Sequence, residues 1–496
     1  MDTQIQKWVS VIPTERQKSY EKMGFNVFFH YGMNTFTGKE WGDGKASPAL
    51  FNPKNQDTDQ WVKAAKDAGA KGVILTCKHH DGFCLWPTKT TEYSVKNSPY
   101  KNGKGDVVKE VADSCKKFGI KFGVYLSPWD RNSEYYGTPK YNDFYIEQLT
   151  ELLTGYGDIF CVWLDGACGS YLDGKAKQVY DFNRIYATVR ELQPGACISN
   201  CGPDIRWVGN EGGYARESEW NVVPAFQFNT QNIAEKSQQD EDGAKMQSFD
   251  AQAEDLGSRA VLQQYDDFIW YPSEVDVSIR PGWFYHKNQD KAVRSLKNLL
   301  HIYYTSVGGN SLLLLNIPPN KEGLLASADV KRLKELGEEI QKAFAMPMET
   351  KEADDILSVI EEQDSYSFSW HFETGALIDK VVLEEDCDFS QRVEKFSLYI
   401  SYQEKEQKVY DGTIIGFQKI ALFDAKMADA IRLEITECRS VPHLKSVIAY
   451  QENGGVPKFS KWELFWAAQK KKARDKAGER WEKQQAKKKA KLDKKA

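Results

Sequence analysis

The feature that most restricts how this chain can fold is a succession of apolar runs of strand length, each followed by a helical stretch. FNVFFHYG (25–32), GVILTCKHHDGF (72–83), KFGVYLSPWD (121–130), IFCVWLDG (159–166) and CISN (197–200) read as strands. Between them, 57–69, 106–119, 141–157 and 178–192 read as helices, most with an acid near the start and Gly or Pro at the stop. The runs are apolar throughout rather than alternating, so these strands are buried on both faces. That is the mark of a parallel sheet built from βα units. Five units between residues 25 and 200 point to an eight-fold barrel rather than a doubly wound sheet, and no Gly-rich phosphate turn follows the first strand. SLLLLNI (311–317), stopped by Pro318-Pro319, reads as the closing strand, with helices over 290–305 and 328–344. Residues 201–285, dense in Gly, Asn, Gln and Asp, read as long rim loops with one or two strands.

Past residue 346 the pattern changes to short alternating segments such as VVLEE, FSLYISY and AIRLEIT, which indicates antiparallel β-structure. The predicted fold class is therefore α/β: a (β/α)8-like TIM barrel over 1–345 and a C-terminal β-sandwich over 346–457. A Lys-rich tail over 458–496, helical or disordered, completes the chain. A length of 496 residues suits a barrel plus a second domain. The tail carries 15 Lys and Arg against 5 Asp and Glu; the whole chain is at −5, which leaves −15 for the body. An acidic body argues against nucleic acid as a partner. No run reaches membrane-spanning length, and the N-terminus lacks a basic and apolar leader pattern. The nine cysteines are scattered, odd in number and without a CxxC pair, which favours a reduced compartment over a disulfide framework. As it stands the sequence reads as cytoplasmic; a leader removed beforehand would make it secreted or periplasmic.

In a parallel barrel the C-terminal ends of the strands share one rim, where catalytic groups collect. The strand ends here are rich in such groups: His30, His79, His80, Tyr125, Trp129, Trp163 and Asp165. Asp165, directly after the apolar run 159–164, is the central candidate; the plain alternative is that it only caps the following turn. His79 and His80 are neighbours, and in a strand neighbours alternate, so both cannot lie on one strand face. Three histidines and an aspartate could bind zinc, but the HHD spacing lacks the HxH and HExxH patterns, and no metal or other cofactor is expected. Imidazoles and Trp faces also suit sugar hydroxyls and C–H edges. The count of 14 Trp and 24 Tyr fits that use. Hydrolysis of a glycoside needs a second carboxylate. Glu211, Glu217 and Glu219 in GPDIRWVGNEGGYARESEW are the candidates, preceded by Arg206 and Trp207.

FFHYG, KEWGDG, KHHDGF, GVYLSPWD and VWLDGACG together resemble the α-L-fucosidases of glycoside hydrolase family 29, over roughly residues 10–345. The resemblance implies a (β/α)8-like barrel followed by a β-sandwich, retention of anomeric configuration and no metal. It makes Asp165 the nucleophile and places His30, Glu40, Trp41, His79, His80, Tyr125 and Trp163 around fucose. PDIRWVGNEG resembles the branch of the family that prefers α-1,3- and α-1,4-linked fucose, which makes Glu211 the acid/base, with Glu217 as the fallback. Arg206 joins the substrate-binding candidates, and Trp283 or Phe284 in RPGWFYH is the expected wall for the sugar's C6 methyl. The expected activity is a retaining exo-α-L-fucosidase acting on fucosylated oligosaccharides or glycoconjugates. The rival readings are a carbohydrate-binding protein without catalysis and a metal-dependent hydrolase built on the histidines.

Overall fold

The computed structural model describes residues 3–167, 178–228, 255–349, 358–360, 365–460, 462–463 and 469. Most of the basic tail therefore lies outside the described residues.

The parallel strands are β1 (Phe25–Phe29), β2 (Gly72–Lys78), β3 (Lys121–Leu126), β4 (Ile159–Leu164), β5 (Cys197–Asn200) and the two-residue β6 (Arg206–Trp207). A small two-stranded antiparallel sheet follows, β7 (Val222–Pro224) with β8 (Phe268–Trp270). β9 (Ser273–Ser278) and β10 (Ser311–Asn316) then return to the main sheet. The sheet runs β5-β4-β3-β2-β1-β10-β9-β6, and a Ser199–Ile205 bridge brings its two edges together into a near-barrel. Period-2 alternation divides each strand. Phe28, Ile74, Tyr125, Cys161, Trp163, Cys197, Leu312 and Leu314 pack in one cluster, the lumen. Val27, Phe29, Val73, Leu75, Val124, Leu126, Val162, Leu313 and Leu315 belong to the layer shared with the helices. Both faces are covered, which is why the strands are apolar throughout.

Helices Thr58–Asp67, Val107–Phe118, Lys140–Gly155 and Phe182–Leu192 connect the first five strands as expected. The fourth begins four residues later than its periodicity suggests, because the Asp181 side chain accepts from Arg184 N and caps it there. The helix expected over 290–305 starts at Leu296 for the same reason, capped by Ser295. The second strand ends at Lys78, not Phe83, so Lys78 is the last strand residue and His79 and His80 stand beyond it. The region 201–285 contributes two barrel strands, β6 and β9, as well as loops.

The C-terminal domain is a single six-stranded antiparallel sheet: β11 (Ser358–Ile360), β12 (Ser365–Glu385), β13 (Val393–Tyr402), β14 (Lys405–Gly412), β15 (Lys419–Cys438) and β16 (Leu444–Gln451). The long strands β12 and β15 shift register between His371 and Ala376 and again between Ile378 and Lys380. Such irregularities bend a sheet. Phe372, Ile378, Val381 and Leu383 share one core with Phe396, Leu398, Ile400 and Leu433, so the bent sheet packs on itself as a sandwich. It docks at the N-terminal end of β10: Ile420 N donates to Gly308 O at 2.9 Å and Asn310 N to Gln418 O at 2.9 Å. That is the end of the barrel opposite the histidines. Among the described residues no helix is long and apolar enough to cross a membrane.

Candidate active site

At the end of β1, His30 is buried, and its Nδ1 lies 2.8 Å from Asn316 Oδ1 at the end of the adjacent β10. His79 and His80 follow β2, and their ring centroids are 4.1 Å apart. The alternation rule does not separate them because neither is in the strand; both are buried and both face the cluster. His80 Nδ1 is 2.7 Å from Ser127 Oγ, and its Nε2 lies 3.7 Å from Asp165 Oδ2. Burial pushes His30 down to about 3, His79 well below its ordinary range and His80 lower as well. The three rings are therefore neutral imidazoles, suited to hydroxyl groups rather than to anions.

Asp165 leaves β4 at the same rim. Its Oδ1 accepts from Ala167 N at 2.8 Å, the turn-capping bond, and its Oδ2 accepts from the Tyr125 hydroxyl at 3.0 Å. It therefore caps the turn with one oxygen and presents the other to the cluster. Tyr125 stacks on Trp163 with centroids 5.4 Å apart, and the Trp163 indole donates to Glu274 Oε1 at 2.8 Å. Trp41 closes one side, with its ring edge-on to His80 at 6.0 Å and to Trp129 at 5.5 Å. Its loop needs Gly42, which has φ +57°; a Cβ there would lie 2.8 Å from the Cβ of Asp81.

The other side is formed by Trp283 and Phe284. Trp283 packs on His30 at 4.9 Å, and Phe284, fully buried, is edge-on to His79 at 4.9 Å. The Trp283 indole N–H donates to Glu211 Oε2 at 3.1 Å. Glu40 Oε2 accepts from Trp283 N at 2.9 Å, and its Oε1 lies 2.8 Å from His286 Nε2.

The three glutamates separate clearly. Glu211 borders the histidine cluster through Trp283, and Gly212 forms a bridge with Val277 near the C-terminal end of β9. Glu217 is exposed, and its charge is felt by Lys419 and Tyr410 of the sandwich. Glu219 is buried between Arg206 and Arg216, at 2.5 and 3.2 Å. Burial pushes Glu219 up, but the two guanidinium charges outweigh it and hold it at about 2. Arg206 pairs with Ser273, the first residue of β9, and its guanidinium is taken by Glu219, Tyr271 O and Trp220 O. The structure therefore sets Arg206 and Glu219 at the lower end of the strands, apart from the rim where His30, His79, His80, Tyr125, Trp163 and Asp165 meet. Among the described residues no three His, Cys, Asp or Glu side chains converge as metal ligands.

The family model for α-L-fucosidases matches residues 39–343, a stretch that holds every rim group except His30. The chain belongs to the α-L-fucosidase family, glycoside hydrolase family 29. As a member it is a glycoside hydrolase. It is 37% identical to alpha-L-fucosidase 1 of Arabidopsis thaliana over 89% of this chain and 88% of that one. It is 45% identical to a provisionally assigned α-L-fucosidase from Bacteroides ovatus, whose crystal structure covers 93% of this chain and 78% of that one with a TM-score of 0.82. A family 29 fucosidase from Ruminococcus gnavus, crystallised with fucose, is 27% identical over 90% of this chain and 96% of that one, with a TM-score of 0.75.

Two acids of this fucosidase's barrel were not singled out from the sequence. Glu274 and Asp276 alternate in SEVDVS, on β9, and both are buried. Glu274 accepts from Tyr20, Trp163 and Ser199 at 2.5, 2.8 and 3.0 Å. Asp276 Oδ1 accepts from the Trp207 indole at 2.6 Å. Burial and then the charge of Glu211 push Asp276 well above its ordinary range. The only signal in the sequence is the alternation of acids with valines, which marks a strand but does not say which face is covered.

Proposed function

We propose that this chain is a retaining exo-α-L-fucosidase that releases terminal α-1,3- and α-1,4-linked fucose by double displacement, with Asp165 as nucleophile and Glu211 as acid/base. One observation carries the reading. Asp165 and Glu211 are each held by an aromatic side chain, Tyr125 and Trp283, and both of those side chains pack against His30. This link between the two acids through His30 supports their acting on one substrate. Fucose bound to the Ruminococcus gnavus relative supports fucose as the glycone.

The groups suggest the following order of events. Glu211 protonates the departing sugar oxygen while Asp165 Oδ2 attacks the anomeric carbon, giving a fucosyl ester on Asp165. Glu211, now ionised, takes a proton from water, which opens the ester and releases fucose. A retaining pair acts at a separation of about 5–5.5 Å. The neutral imidazoles of His30, His79 and His80 orient ring hydroxyls, so that binding energy serves positioning. Phe284 and Trp283 offer the apolar wall that a C6 methyl requires.

Proton NMR of the first product from an aryl α-L-fucoside decides the stereochemistry: α-L-fucose appears first if the reading is right, β-L-fucose if it is wrong. Asp165→Asn is expected to abolish turnover with folding intact. Azide is expected to restore Glu211→Ala; restoration of Glu217→Ala instead moves the role to Glu217. The linkage preference rests on the likeness of PDIRWVGNEG to one branch of the family. A panel comparing α-1,2 with α-1,3 and α-1,4 fucosides tests it, and equal or faster α-1,2 hydrolysis refutes it.

A further inference from the structure

The segment Arg280-Pro-Gly-Trp-Phe-Tyr-His286 joins β9 to the helix Leu296–Ser306 and is braced at several points. The Arg280 side chain is completely buried and paired with Asp329 at 2.9 Å and with Asp290 at 2.9 Å. Trp283 O accepts from Asn316 Nδ2 at 2.8 Å. The main brace is Glu40, which is 243 residues earlier in the chain than Trp283. Its carboxylate takes Trp283 N at 2.9 Å, Phe284 N at 3.4 Å and the His286 ring at 2.8 Å. Gly282 makes that approach possible, since a Cβ there would lie 2.5 Å from Glu40 Oε1. From this clamped backbone the Trp283 indole reaches Glu211 at 3.1 Å.

We propose that His286 is a positioning residue for the proton donor, acting through Glu40 and Trp283 on Glu211. It touches neither substrate nor the reacting atoms in this scheme. Its ring nitrogen fixes the Glu40 carboxylate in the orientation that receives Trp283 N, and that in turn aims the indole hydrogen at Glu211 Oε2. Without His286 one oxygen of Glu40 loses its shorter contact, the carboxylate is held only by the Trp283 and Phe284 N–H groups, and Trp283 holds Glu211 less firmly against the leaving oxygen. The inference rests on Glu211 being the acid/base.

Leaving groups separate this role from a structural one. A 2,4-dinitrophenolate departs without a proton, whereas a sugar alkoxide needs one. Weakened binding of the shared fucose ring or partial unfolding lowers kcat/KM for both substrates by the same factor; a displaced proton donor lowers only the second. In the full chain, His286→Ala is expected to reduce kcat/KM for a fucosylated oligosaccharide about 10- to 100-fold more than for 2,4-dinitrophenyl α-L-fucoside. His286→Gln, which keeps an N–H donor, is expected to recover most of that difference. Gly282→Ala, which pushes Glu40 sterically and leaves His286 in place, must produce the same selectivity. Equal losses on the two substrates for both His286→Ala and Gly282→Ala overturn the proposal. Glu211→Ala is measured alongside. If it shows selective loss and the His286 and Gly282 variants do not, the clamp alone is refuted; if it shows no selectivity, Glu211 is not the acid and the clamp falls with that reading.

Discussion

The Tyr125 hydroxyl donates to Asp165 Oδ2 at 3.0 Å, across two adjacent strand ends of the barrel. Tyr125 is itself fixed by stacking on Trp163 and by complete burial, so the bond is preorganised rather than formed on demand. Tyr125→Phe removes the hydroxyl and keeps the ring. A charge-assisted bond of this kind contributes about 1.5–3 kcal/mol. The expected result is a fall in kcat/KM of about 10- to 100-fold with little change in thermal midpoint. Unchanged kinetics would show that the hydroxyl does not act on Asp165 during turnover.

Glu274 holds three donors inside the barrel, from Tyr20 at its base, Trp163 on β4 and Ser199 on β5. Glu274→Ala leaves all three without an acceptor in a buried place. The expected loss of stability is about 3–5 kcal/mol, read from urea unfolding. Glu274→Gln keeps one acceptor oxygen and is expected to lose distinctly less. A loss under about 1 kcal/mol for the alanine variant would show that the three donors find other partners.

The sequence makes some of this architecture readable and hides the rest for identifiable reasons. β1 to β5 and β10 are legible because strands covered on both faces are apolar throughout. β9 is not, because Glu274 and Asp276 give it the alternation of a half-exposed strand, and only the closed barrel shows that the lumen takes both acids. The rim groups Tyr125, Trp163 and Asp165 could be placed from strand ends alone. The partnership of Glu40 with His286 could not, since nothing in the spacing of two residues 246 positions apart brings them together. Among Glu211, Glu217 and Glu219 charge and residue type offer no distinction, and only the likeness of PDIRWVGNEG to one branch of the family favours Glu211. The descent of the chain from the rim at Gly212 to the barrel base at Asn310, which donates to Glu219 O, is what separates them.

The hydrogen bonds around two histidines fix their tautomers. Asn316 Nδ2 donates to Trp283 O, which only accepts, so Asn316 Oδ1 faces His30 and His30 Nδ1 carries the hydrogen. Ser127 gives its hydrogen to Trp129 O at 2.7 Å, so His80 Nδ1 donates to Ser127 Oγ. In both rings Nε2 then carries no hydrogen; that of His30 is left as an acceptor for a substrate hydroxyl, and that of His80 lies 3.7 Å from Asp165 Oδ2. Burial holds His30 at about 3 and His80 below its ordinary range, so the neutral form persists at neutral pH. Nitrogen-15 NMR, assigned with His30 and His80 variants, is expected to show Nδ1–H tautomers for both at pH 7.5, and for His30 unchanged at pH 5.5. An imidazolium signal for His30 at pH 5.5 would contradict the assignment.

Buried acids give stability a falling slope on the alkaline side. Glu21 accepts from the Trp270 indole at 2.9 Å, but burial outweighs that bond and pushes it up to about 8 from an ordinary 4.5. Glu385 and Asp329 are raised by burial to about 7 and about 6. Between pH 4.5 and 8 the folded chain keeps the Glu21 proton and the unfolded chain has lost it. The folded state then binds more protons, and stability falls as pH rises through that window. His30 works the other way, since its lowered value costs stability only below about 6.5 and relents as pH rises to that point. Above pH 6.5 the raised acids are left unopposed by His30. Glu21→Gln matches the protonated acid in shape and keeps the acceptor for Trp270. It removes a pH-dependent penalty on the order of a few kcal/mol. The thermal midpoint of the unaltered chain is expected to fall between pH 6.5 and 8, and that of Glu21→Gln to fall by several degrees less. Parallel curves in a thermal-shift series would mean that Glu21 is ionised in the folded protein, compensated by Lys18 or by water, and that the alkaline slope has another origin.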